Sequence, residues 1–309
     1  MFRKHTRRAA KAAYAISLGV ALLIGLIAAA GSTAATAKTA ASPTIIVGSK
    51  NFTEQYVLGE LYKQALQGAG FTVSYKQNIG SSELIDTAIT SGKINFYPEY
   101  TGVIVQDLAK KTSPSTAAAT YAAAKTFEQT RGLTLLNATP FYDTDSFGML
   151  TSTAKKLGVK TIGDMKKVKS FSFAGYPECQ TRITCLLGLK QKYGLTQVKF
   201  VPLASISVYT LLDQGKITAG DVFSTDPQLS SSKYTILTDT KHIFGFQNVA
   251  PVVSQKTLSA AGPKFAQVVN AVSAKLTIQA MIAMNKAVAI DKATPAAVAA
   301  GFLKANHLK

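Results

Sequence analysis

Ser91-Gly-Lys-Ile-Asn-Phe-Tyr-Pro-Glu-Tyr-Thr101 and Gln214-Gly-Lys-Ile-Thr-Ala-Gly-Asp-Val-Phe-Ser-Thr-Asp226 are two versions of one unit. Their glycines stand 123 residues apart, and the same eight-residue step leads from Gly92 to Tyr100 and from Gly215 to Phe223. In each, a helical pattern (Leu84, Ala88 and Ile89 share a face in the first, which starts at Ser81 or Ser82) runs into a glycine. Glycine closes a helix because it adopts left-handed backbone without a Cβ penalty. A strand follows, Ile94 to Tyr97 in the first copy, and an aromatic stands just beyond its end. Open α/β sheets bind ligands outside the carboxyl ends of their strands. Two such units facing each other therefore predict a cleft with Tyr100 and Phe223 on its walls.

The surrounding chain fits that frame. Upstream, Thr44 to Gly48 reads as a strand, and Thr53 as the cap of a helix whose Val57, Leu58, Leu61, Ala65 and Leu66 share one face. Gly68 and Gly70 end that helix, and Phe71 to Lys76 is a second strand. Residues 151–245 carry their own alternation: a strand Ser170 to Phe173, a helix Leu186 to Tyr193, a strand Lys199 to Leu203, then the second copy of the unit. This predicts a separate lobe. Alternating strand and helix predict an α/β fold with largely parallel sheets. From Pro251 the chain reads as helical, including the Ala-rich stretch Pro295 to Leu303, and is expected to pack back on the first lobe.

A chain of 309 residues, 47% hydrophobic and 16% charged, buries one large core or two medium ones. The formal charge of +18 is partly an N-terminal effect: Arg3, Lys4, Arg7, Arg8, Lys11 and Lys38 precede residue 43 and no acid does, so the remainder carries +12. That remainder is scattered as lone lysines such as Lys76, Lys125, Lys190 and Lys199, without the clustered arginines and interleaved aromatics of a nucleic-acid face. No nucleic-acid partner is expected. A basic stretch, the apolar run Ala13 to Ala30 and a small-residue stretch with Ala-x-Ala sites make residues 1–42 an export signal plus linker. The apolar run is also long enough for an uncleaved membrane anchor. Either way the globular part is exported and works close to a membrane.

Cys179 and Cys185 both lie in that exported part, where thiols oxidise, and a short-loop disulfide is the expectation. Two free thiols or a metal pair are the alternatives; of His5, His242 and His307 none is near the cysteines in sequence, so no metal site is expected. There is no Gly-x-Ser-x-Gly elbow, metal-spaced His/Cys set or phosphate-cradling loop, which argues against an enzyme and against a cofactor.

Val47-Gly-Ser-Lys-Asn-Phe-Thr-Glu-Gln-Tyr-Val-Leu-Gly-Glu60 and Tyr97-Pro-Glu-Tyr-Thr-Gly102 resemble the osmoprotectant-binding proteins of ABC importers, which take glycine betaine, choline or carnitine. Pro177-Glu-Cys-Gln-Thr-Arg182, Val222-Phe-Ser-Thr-Asp226 and Phe244-Gly-Phe-Gln-Asn-Val-Ala-Pro251 extend the resemblance in order. It implies a two-lobed periplasmic-binding-protein-like fold of type II, with residues 43–145 and 247–309 in lobe 1 and 146–246 in lobe 2, crossing near Asp145 and Phe246. It also implies a partner, the importer permease with its ATPase, and a small quaternary-ammonium ligand held between the lobes. A methylated ammonium has no N–H to donate, so cation–π attraction must hold it. Matched by position, the cage aromatics fall on Tyr100, Phe147, Phe223 and Phe246. The polar end falls on Lys50, Asp145 and Arg182, the last meeting a ligand carboxylate with its two-pronged fork. Three of the four cage positions are Phe where better-known members mostly carry Tyr, which points to a drier cage and an altered selectivity. The alternatives are another small cationic or aromatic solute, or a sensor of the same fold that serves no transporter.

Overall fold

The computed structural model describes residues 43–204 and 206–308; the expected export segment, 1–42, lies outside them. Among the described residues, ten strands form two five-stranded sheets. The first holds β1 (Ile45–Gly48), β2 (Val73–Lys76), β3 (Phe96–Tyr100), β4 (Leu133–Leu135) and β10 (Val249–Ser254), in the order β2-β1-β3-β10-β4. The second holds β5 (Asp145–Leu150), β6 (Phe171–Gly175), β7 (Val198–Pro202), β8 (Ala219–Phe223) and β9 (Tyr234–Ile236), in the order β7-β6-β8-β5-β9. The two orders are the same pattern. The chain leaves the first sheet between β4 and β5 and returns between β9 and β10, so it has two lobes and crosses between them twice.

The repeated unit occupies equivalent places. β3 and β8, its two copies, are each the middle strand of a sheet, and Gly92 and Gly215 have φ of 75° and 64°, the left-handed backbone that the helix stops require. The first strand begins two residues later than predicted. Ile94 donates its N–H to the Ala88 carbonyl at 3.2 Å, closing the helix end, so pairing in the sheet starts only at Phe96.

The sheets are mixed, not largely parallel. β1 is parallel to β2 and β3, and β6 to β7 and β8, but β10 runs antiparallel to β3 and β4, and β5 antiparallel to β8 and β9. Each antiparallel strand is the one that arrives from the other lobe. β10 also corrects the expectation that the chain is helical from Pro251 onward: Pro251 sits inside the strand, directly opposite Pro98 of β3. Proline is disfavoured in central strands because it donates no ladder hydrogen bond. Here its carbonyl accepts from Leu136 N–H at 2.9 Å, and neither proline asks the other for a donor.

Helices fill the faces. The helix Thr53–Gly68 lies at the centre of the larger core, where Leu58, Leu61, Tyr62 and Leu66 meet Phe265, Val269, Val272 and Leu303 from the C-terminal helices 263–275 and 295–305. The tail thus returns to the first lobe. Phe52, not Thr53, caps the first helix; it is extended and makes no side-chain cap bond, which leaves its ring free to face the other lobe. A second core, around Phe147, Phe173, Leu189 and Tyr193, belongs to the second sheet.

Candidate ligand-binding cleft

Where the two sheets face each other, a cavity lies at the carboxyl ends of β3 and β8, with Tyr100 and Phe223 on its wall. Phe52, on the loop after β1, lies between them. Its ring stacks on Phe223 at 5.8 Å with the planes 4° apart and on Tyr100 at 6.2 Å and 22°. Tyr176, after β6, adds a fourth ring. Tyr100 is held in place by its hydroxyl, which donates to Glu54 Oε1 at 2.8 Å. The other Glu54 oxygen accepts from Thr225 Oγ1 at 2.6 Å and Asn285 Nδ2 at 3.0 Å. Glu54 thereby ties the first helix to the loop after β8, one element from each lobe.

The same wall is rich in carboxylates: Asp143, Asp145, Glu178 and Asp221. Burial pushes Asp145 up from the ordinary carboxylate range, against the pull of Arg182 and Lys50. Burial pushes Asp143 and Asp221 well above that range, and neighbouring carboxylates, Glu54 and Asp145 respectively, add to it. The two cations of the wall are already engaged. Lys50 Nζ donates to Glu99 Oε1 at 2.6 Å and Ser82 Oγ at 3.0 Å, with the residue 4% exposed. It also sits 4.2 Å from the Tyr100 ring centroid. Burial lowers its pKa and Glu99 opposes that drop. Arg182 makes a two-pronged pair with Glu83 of the first lobe, Nε to Oε1 at 3.1 Å and an Nη to Oε2 at 3.0 Å. Burial alone would raise the Glu83 carboxyl, but this pair brings it down to about 2. Aromatic faces beside buried acids, which a bound cation would help to ionise, make a site that holds a cation without needing an N–H donor.

A family model described as the substrate binding domain of an ABC-type glycine betaine transport system matches residues 43–305. The chain belongs to this family. The glycine-betaine-binding protein of Pseudomonas aeruginosa is 32% identical over 284 residues, which cover 87% of this chain and 90% of that one. A Helicobacter pylori protein, described as an ergothioneine transport permease and ergothioneine binding protein, is 26% identical over 84% of this chain but only 47% of its own length. A solved structure described as a glycine betaine/carnitine/choline ABC transporter has a TM-score of 0.68 at 21% identity, covers 85% of this chain and 99% of that chain, and shares its fold. Proteins of this family bind solutes for transport and are not enzymes.

In this substrate-binding protein five of the seven residues predicted from sequence, Lys50, Tyr100, Asp145, Arg182 and Phe223, line the one cavity. Phe147 does not. It is fully buried in the second core, 5.0 Å from Phe173 and 6.0 Å from Phe171. β5 enters its sheet from the cleft, so Asp145 at its start is at the site while Phe147, two residues and about 7 Å further along the strand, is already inside the lobe. Phe246 is also displaced: it is 37% exposed and lines a separate, wider groove. Gln247, 1% exposed, faces the cavity; it accepts from Val103 N–H at 3.0 Å and donates to the Phe244 carbonyl at 3.0 Å. Lys50 and Arg182 line the cavity with their charges already paired to Glu99 and Glu83, so neither is a waiting partner for a ligand carboxylate. Sequence reading missed Phe52, Glu54, Asp143, Tyr176 and Asp221. Phe52 and Glu54 stand inside the quoted stretch from Val47 to Glu60, which was the available signal. Cys179 and Cys185 are bonded to each other, and both touch the cavity beside Arg182.

Proposed function

We propose that this chain captures a quaternary-ammonium osmoprotectant of the glycine betaine, choline or carnitine type, outside the cytoplasm, and delivers it to an importer permease with its ATPase. The observation that carries the reading is the cavity wall, where Phe52, Tyr100, Tyr176 and Phe223 meet Asp143, Asp145 and Asp221 with every nearby cation already paired. The rings form the cage, each desolvated face contributing ~1 to 2 kcal/mol. In this assignment residues 43–145 and 247–309 are lobe 1, residues 146–246 are lobe 2, and the segment 1–42 exports the protein. A carboxylate-bearing ligand takes Arg182 away from Glu83, so its gain is the difference between two similar pairs.

The test is calorimetry and thermal melting with choline, glycine betaine and carnitine beside their unmethylated counterparts ethanolamine and glycine. A ligand that binds only the folded state raises the melting temperature. The expected result is a shift for the quaternary compounds alone. No shift with any of them, or equal shifts with the unmethylated ones, overturns the reading.

A further inference from the structure

Behind the cage lies a second cavity of about 270 Å³. It shares Phe52, Asp143, Tyr176, Asp221 and Phe223 with the first, and Glu54, Tyr209, Asp226 and Asn285 are among the residues that line only the second. Among the described residues no lysine or arginine lines it. Its acids differ in one respect. Glu54 is fully used by Tyr100, Thr225 and Asn285, and Asp226 accepts from Tyr209 Oη and Phe223 N–H, both at 2.8 Å. Asp143 accepts from Thr225 N–H at 3.1 Å. Asp221 is 5% exposed; its carboxyl hydrogen-bonds to that of Asp145, and its Oδ1 has no partner among the described residues. Asn285 is equally buried; its Nδ2 is committed to Glu54 and Thr225, which fixes the amide and leaves Oδ1 an acceptor without a donor. A buried acceptor left unmade costs more than a made bond contributes. Two such acceptors in a cavity lined by no lysine or arginine lack N–H donors, and a cationic donor would also draw the raised Asp221 carboxyl into its ionised form.

Resting on the cage reading above, we propose that the chamber is a second subsite that takes an N–H-bearing cationic group, an ammonium, guanidinium or imidazolium. The ligand is then an extended betaine with its quaternary head against Phe52 and Phe223 and its donor group on Asp221. The quaternary head cannot serve Asp221 itself, because it has no N–H. Asp221 and Phe223 are two residues apart on β8 and so share a face, which lets one molecule reach both.

Two matched ligands isolate the donor. Nε-trimethyllysine and 6-(trimethylammonio)hexanoate have the same head, chain and carboxylate, and differ only by the α-ammonium. Calorimetry on the wild-type protein is expected to show the amine-bearing ligand binding at least tenfold tighter, and Asp221→Asn, which keeps the shape and removes the ionisable carboxyl, to cut that ratio to about twofold or less. Equal affinities in the wild type overturn the proposal, and so does a ratio that survives Asp221→Asn. The wild-type ratio stands as a test even if the variant fails to fold. Choline separates the two readings: choline bound with no preference within the pair sinks the second subsite alone, whereas no binding of choline or of either ligand sinks the cage and the subsite together.

Discussion

Lys50 and its partner Glu99 are the most deeply buried ion pair of the cleft, with side-chain exposures of 5% and 0%. Removing one member of such a pair leaves the other charge uncompensated, a loss of about 3–5 kcal/mol. Lys50→Met is therefore expected to lower the urea midpoint strongly, and Lys50→Met with Glu99→Gln to recover a large part of it; no recovery in the double variant would show that Lys50 matters for shape, not charge. Phe223→Ala removes one cage face and should weaken choline and glycine betaine alike, by ~1 to 2 kcal/mol, read by calorimetry. The pH behaviour follows from acids raised by burial. Asp107, 1% exposed, and Asp226 are each pushed up to about 6, and Glu128 to about 7. A folded pKa above the unfolded one means that the native state holds more protons in the window between them. The native state therefore gains stability as pH falls from 7, by about 1 kcal/mol from Asp107 down to pH 5 and about 3 kcal/mol in all below pH 4. Glu83, held at about 2 by Arg182, acts oppositely, and its contribution is lost only as the pH drops below about 4. Urea midpoints at pH 7, 5.5 and 3.5 should rise throughout, because the three raised acids outweigh the partial loss from Glu83, and Asp107→Asn should lessen the rise.

At the scale of elements, the helix 295–305 is the last piece laid on the first lobe, and Leu303 is wholly buried against the helix Thr53–Gly68. Leu303→Ala opens a cavity worth about 2–5 kcal/mol. It should lower the melting temperature while the ligand preference stays that of the wild type, because Leu303 lines neither cavity. The loop presenting Arg182 is closed by the bond between Cys179 and Cys185. Non-reducing, denaturing thiol titration of the exported protein should find no free thiol. Reduction should weaken carboxylate-bearing ligands more than choline, since it loosens the turn that aims the guanidinium.

For the whole molecule, closure depends on a few bonds between lobes: Arg182 with Glu83, Thr184 Oγ1 donating to Asp107 at 2.9 Å, and Thr225 with Glu54. Glu83→Ala removes the bidentate one. Small-angle scattering of the ligand-free variant is expected to give a larger radius of gyration than wild type, and addition of ligand to shrink it again; an unchanged radius would mean that the Arg182–Glu83 pair is not a latch.

Local pattern alone carried much of this. The glycine stops at Gly92 and Gly215 need only backbone geometry, and the aromatics that follow them fall at strand ends because the helix–Gly–strand step has a set length. Two copies of that step were enough to place Tyr100 and Phe223 on one cleft, whereas Lys50, Asp145 and Arg182 came only from the resemblance to the osmoprotectant-binding proteins. What pattern could not supply was direction and company. Whether β5 enters or leaves its sheet at the cleft decides that Asp145 is at the site and Phe147 is core, and strand direction is set by which lobe the chain arrives from. One position along the chain separates Gln247, inside, from Phe246, outside. Lys50 and Arg182 have partners 49 and 99 residues away in the chain, and only the folded chain brings those charges together. Local sequence records which groups exist; which of their atoms are left without a partner, as Asp221 Oδ1 is, depends on neighbours that the tertiary structure alone assembles.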